Sequence, residues 1–125
     1  MAREVVLFHH LRKEFEGNNL MTNERRGAPR IDVNIPVRWE GVLTQQSAMI
    51  TSLSETGCFV LTGGKVEPKE LIRLEIELPN QAAVYFWSEV VEEAYDIGFA
   101  ARFTACDEDD RLRLAAFVRA GLAYL

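Results

Sequence analysis

Residues 71–78 read Leu-Ile-Arg-Leu-Glu-Ile-Glu-Leu, and this stretch sets the fold class. Ile72, Leu74, Ile76 and Leu78 alternate with Leu71, Arg73, Glu75 and Glu77. A period of two with one polar face describes a half-buried strand, since successive side chains point to opposite faces of a sheet. Pro79-Asn80-Gln81 then turns the chain into a second candidate strand, Ala83–Val91, and Asp96-Ile97-Gly98 leads into a third, Phe99–Phe103. Upstream, Ile35–Trp39 and Ala48–Leu53 flank a polar turn at Thr44-Gln45-Gln46 and read as a hairpin, with Cys58–Leu61 following Gly57. Six short strands with turn residues between them predict a mainly β fold. The closed form, a six-stranded antiparallel β-barrel, fits better than an open sheet with exposed edges.

The two ends of the chain differ from this middle. Beyond the last strand, Asp107 is placed to cap a helix, and Glu108-Asp109-Asp110 suits the positive N-terminal end of its dipole. Leu112, Leu114, Ala115, Phe117, Val118 and Leu122 supply an apolar stripe that predicts a C-terminal α-helix packed on the barrel. At the other end, Val5, Phe8, Leu11 and Phe15 recur at helical spacing within Glu4–Glu16, and Gly17-Asn18-Asn19 ends that pattern. The predicted organisation is an N-terminal extension, helical or flexible, over 1–23, and a barrel with its helix over 24–125.

Composition narrows the function. With 125 residues, 48% of them hydrophobic, the chain can close one core. Cys58 and Cys106 lack disulfide-framework or zinc-ligand spacing and read as reduced thiols behaving as small buried hydrophobes. No apolar run approaches the ~20 residues that span a bilayer. Val5-Val6-Leu7-Phe8 is too short for a signal-peptide core. A cytoplasmic protein with no membrane partner is therefore expected.

Net charge is −5, which argues against a DNA or RNA polymer as partner, because such binding depends on neutralising many phosphates. Residues 1–30 nevertheless carry six Lys or Arg against four Asp or Glu, whereas residues 31–125 carry eight against fifteen. A small anionic ligand is repelled by most of this chain. Its natural docking point is the cluster Arg25, Arg26 and Arg30.

Two segments stand out chemically. In Glu24-Arg25-Arg26-Gly27-Ala28-Pro29-Arg30, Pro29 disfavours helix at Ala28 and stiffens the approach to Arg30. In Thr51-Ser52-Leu53-Ser54-Glu55-Thr56-Gly57, small hydroxyl residues at a strand end lead into a glycine turn. The first resembles the RxxxR signature that opens PilZ domains, and Ser52–Gly57 resembles their (D/N)xSxxG signature, one hairpin downstream. Gly98-Phe99-Ala100-Ala101-Arg102-Phe103 is similar to the family's late strand, with Ala100 where a glycine is common. The resemblance covers residues 24–120.

The resemblance implies a barrel whose ligand is cyclic di-GMP, bound by Arg25, Arg26, Arg30, Ser52, Ser54 and Gly57. It implies a receptor that signals to a partner protein when the ligand orders the arginine linker. The residue types suit that ligand: arginine binds guanine O6 and N7 bidentately, pairs with phosphate and stacks on a base. Ser54 Oγ and the amides of the Glu55–Gly57 turn are candidates for a guanine edge, and Gly57 for close backbone approach and a positive φ. One molecule and an intercalated pair would use the same arginines. Ser52 departs from the family's Asp or Asn, and the loss of a charge-assisted hydrogen bond there costs on the order of 1.5–3 kcal/mol. The alternative is a degenerate PilZ-like adaptor that contacts proteins and does not bind the nucleotide.

Other chemistries lack support. His9 and His10 are adjacent and point about 100° apart on a helix, so they do not chelate one metal ion. Asp107–Asp110 lacks calcium-loop spacing. No nucleophile–base string occurs, so neither catalysis nor a metal or other cofactor is expected. Trp39 and the Tyr85-Phe86-Trp87 run read as core packing, with one aromatic available for an interface.

Overall fold

The computed structural model describes residues 28–94 and 96–124. The helix expected over Glu4–Glu16, and Arg25 and Arg26, lie outside the described residues. Six strands run in order: β1 (Ile31–Glu40), β2 (Gln45–Leu53), β3 (Gly57–Leu61), β4 (Leu71–Ile76), β5 (Val84–Ala94) and β6 (Gly98–Ala105). They close antiparallel into a barrel with the cyclic order β1-β2-β3-β6-β5-β4. Helix α1 (Glu108–Leu122) follows.

The alternation in residues 71–78 does what it predicts. Ile72, Leu74, Ile76 and Leu78 are buried inside the barrel, while Leu71 and Arg73 face outward. Regular pairing stops at Ile76, and Leu78 N–H turns back to Ile76 O at 3.1 Å. Trp39 and Phe99 fill the interior edge to face, with ring centroids 5.2 Å apart. The buried Trp39 indole N–H donates to Thr62 Oγ1 at 3.3 Å, so its one polar group is satisfied.

The first hairpin turns earlier than Thr44-Gln45-Gln46. Gly41 N–H donates to Thr44 O at 2.8 Å, and Gln45 and Gln46 already pair with Glu40 and Trp39. Two side chains hold that register. Glu70 Oε2 accepts from Val42 N–H at 2.8 Å, and Gln46 Oε1 accepts from Thr62 Oγ1 at 2.7 Å. Strand β1 also begins earlier than Ile35, because a register irregularity between Asp32 and Ile35 interrupts the alternation that marks a strand in sequence.

Helix α1 buries Leu114, Ala115 and Val118, each large side chain contributing about 1.5–3 kcal/mol on the usual area scale. Leu112, expected in that stripe, is 51% exposed, because it lies on the outward side of a turn that buries Asp110 and Leu114. Asp107 occupies the N-cap position, but its side chain makes no cap hydrogen bond. Asp110 is the residue that ties the first turn down: its carboxylate accepts from Tyr85 N–H at 3.0 Å and from Arg113 at 2.7 Å. Cys106 is exposed, so only Cys58 behaves as the buried thiol the sequence suggests.

Candidate ligand-binding site

Residues 28–30 lead directly into β1, and the register of β1 with β2 brings their end to the second signature. Ile31 pairs with Leu53 and Asp32 with Ser52. Arg30 Nη1 donates to Ser52 Oγ at 3.0 Å, across twenty-two positions of sequence. Arg30 of the first signature and Ser52 of the second are therefore in contact. Arg25 and Arg26 lie outside the described residues.

Ser52 reaches this position through a bulge. Pairing of β2 with β3 shifts between Ile50 and Ser52, and Thr51 is the extra residue. A bulge re-aims the side chains that follow it. Here Ser52 and Leu53 are both fully buried, which strict alternation would not allow. Thr51 Oγ1 is itself buried with no hydrogen-bond partner among the described residues.

The Ser54–Gly57 turn is held by its own serine. Ser54 Oγ accepts from the backbone N–H groups of Thr56 and Gly57, each at 3.1 Å, and Ser54 N–H donates to Gly57 O at 2.9 Å. Ser54 is 1% exposed, so its hydroxyl shapes the turn from inside. Phe103 N–H donates to Thr56 O at 2.9 Å, fastening the turn to β6. Arg119 of α1 pairs with Glu55 through two hydrogen bonds, at 3.0 and 3.2 Å.

Gly57 is required by proximity. A Cβ there would lie 2.4 Å from Ala101 O on the neighbouring strand. The positive φ expected at Gly57 is not found; Gly57 starts β3 in strand conformation. Close approach alone demands the glycine.

Beneath the site, burial pushes the Cys58 thiol up to about 12, opposed by the nearby positive charge of Arg30. The thiol stays neutral and is a packing group rather than a nucleophile. Nothing in the local sequence marks the Thr51 bulge or the role of Arg119, whose partner lies sixty-four positions away. Among the described residues no cluster of three or more His, Cys, Asp or Glu could hold a metal ion. No helix among them is long and apolar enough to cross a membrane.

Chemically, the site sets the Arg30 guanidinium against Ser52 near the end of β2, the strand that leads into the turn. A guanidinium carries five N–H donors in a planar fork that matches phosphate and guanine edges.

The barrel resembles several solved structures. The inhibitor of motility MotI/DgrA of Bacillus subtilis superposes with a TM-score of 0.70 at 16% identity, over 80% of this chain and 52% of that one. The present chain thus spans about half the length of that protein. PlzA of Borreliella burgdorferi, solved in complex with c-di-GMP, gives 0.60 at 10% identity, over 84% of this chain and 45% of that one. The PilZ domain of CeSA from a cellulose-synthesizing bacterium gives 0.59 at 14% identity, over 74% and 97%. At these identities the likeness shows the fold. A search of curated proteins finds no match. The family model of the PilZ domain, however, matches residues 24–120, from the arginine signature through most of α1. The chain belongs to the PilZ domain family.

Proposed function

We propose that this protein is a non-enzymatic cyclic di-GMP receptor of the cytoplasm that passes its state to a partner protein. PilZ domains are regulatory receptor and adaptor domains with cyclic di-GMP as their ligand. The observation that carries the proposal is the 3.0 Å contact between Arg30 and Ser52, which joins the arginine signature to the serine turn. In this reading Arg30, with Arg25 and Arg26 of the preceding linker, meets the phosphates and guanine edges. Ser52 receives the arginine, while Ser54 and Gly57 keep the turn narrow enough for ligand to approach its backbone. Ligand charge then orders the linker against the barrel.

One observation favours the second reading, a ligand-blind adaptor. Ser52 is fully buried and already accepts from Arg30, and the Ser54 hydroxyl is engaged within its own turn. A serine hydroxyl offers neither the reach nor the charge of a carboxylate. Calorimetric titration of the full chain with cyclic di-GMP separates the two readings: saturable heat supports the receptor, and its absence at high micromolar ligand supports the adaptor.

A further inference from the structure

The outer face of β1, β4 and β5 carries apolar side chains exposed to solvent. Leu71, Tyr85 and Trp87 are 61%, 39% and 51% exposed. They are neighbours by register: across β4 and β5, Leu71 pairs with Glu89, Arg73 with Trp87 and Glu75 with Tyr85. The Arg73 guanidinium lies over the Tyr85 ring, 4.8 Å from its centroid. A closed barrel offers no strand edge, so a partner must read these side chains rather than add a strand.

The charges on the same face form a checkerboard. Glu40 pairs with Arg73, and one step along the strands Arg38 pairs with Glu75. All four sit at positions alternating with the buried Val37, Trp39, Leu74 and Ile76. Among the described residues no ion pair joins any of the four to another. Two rows result: Glu40, Arg73 and Trp87, then Arg38, Glu75 and Tyr85.

A homodimer with two-fold symmetry needs a self-complementary face. A two-fold axis lying in this face, across the strands and between the two rows, sets Arg73 over the partner copy's glutamate at position 75. It also sets Arg38 over position 40, and Trp87 over the tyrosine at position 85. A purely acidic or purely basic partner would match only half of these charges. The chain's net charge of −5 makes most of its surface repel another copy, whereas these four charges balance.

We propose that two copies of this chain associate face to face through β1, β4 and β5 in this arrangement. Trp87 and Tyr85 supply the apolar contact, and the checkerboard fixes the register. Arg38 and Glu40 lie at the end of β1 away from Arg30, so the association is independent of the ligand reading.

Sedimentation of the full chain over a range of micromolar concentrations tests this. The expected result is a reversible dimer, weakened about tenfold or more by Arg73→Glu or Trp87→Ala. Arg73→Glu combined with Glu75→Arg restores it, because the swapped pair is again complementary across the same axis. Tryptophan emission of the unmodified protein gives a second readout. Trp39 is buried and Trp87 half exposed, so iodide quenching falls as concentration rises. A chain that stays monomeric with constant quenching overturns the proposal. So does a dimer indifferent to both single variants, or a double swap that fails to restore association.

Discussion

The two halves of the candidate site are built in opposite ways. The arginine half is a linker residue entering β1, whose fixed point is the contact of Arg30 with Ser52. The turn half is closed on itself: Ser54 satisfies two amides of its own turn, Thr56 is bonded to β6, and Glu55 is paired to α1. One half supplies charge and reach, the other a rigid surface. On the proposed reading, a ligand that bridges them draws its affinity mainly from the arginine side, while the turn fixes shape.

Variants on either side break this contrast in different observables. Arg30→Ala has the largest expected effect. Charge-assisted hydrogen bonds are worth about 1.5–3 kcal/mol each, so losing even one costs roughly ten- to a hundred-fold in affinity. Calorimetry should register no saturable heat from this variant, and the free protein should melt somewhat lower but stay folded, because the buried Ser52 hydroxyl loses its donor.

The turn variants should behave in reverse, moving stability first. Gly57→Ala must displace the strand that carries Ala101 O, at a cost of about 1–3 kcal/mol. Ser54→Ala leaves the Thr56 and Gly57 amides without their acceptor and costs a similar or smaller amount. Both are read by thermal or urea unfolding. An unchanged midpoint for both would mean that the turn is not the rigid half.

Ser52→Asp sharpens the comparison by moving charge to the turn side. Opposite Arg30 a carboxylate is compensated, and it restores an acceptor that suits guanine N–H groups. We expect binding tighter by up to about tenfold; weaker binding would mean that Ser52 does not occupy the ligand-facing position of the signature. Arg119→Ala should do least. Its pair with Glu55 is largely exposed, so less than about 1 kcal/mol is at stake.

Much of the fold was legible in the sequence, for physical reasons that also explain the exceptions. The residues 71–78 alternation survives in the barrel because β4 is regular along its whole length. Strand β1 and the end of β2 were harder to read, since bulges near Val33 and at Thr51 break the period of two. The hairpin turn was misplaced because Gln45 and Gln46 look like loop residues. Gln46 earns its strand position through Thr62, sixteen positions away. Local sequence marks Asp107 as the cap, but only the folded sheet brings Tyr85 N–H to Asp110. In the site, the arginine and serine signatures were visible as strings, and their meeting follows from the β1–β2 register. The tie of Glu55 to Arg119 could not be read, because nothing local pairs residues so far apart.

The central claim is that Arg30 and the Ser52–Gly57 turn form one receptor site for cyclic di-GMP. The most direct measurement is a parallel calorimetric titration of the full chain and its Arg30→Ala variant with that nucleotide. Saturable binding is expected in the first and none in the second, with both proteins folded. No heat from the unaltered chain at high micromolar ligand, or equal binding by the two, would contradict it.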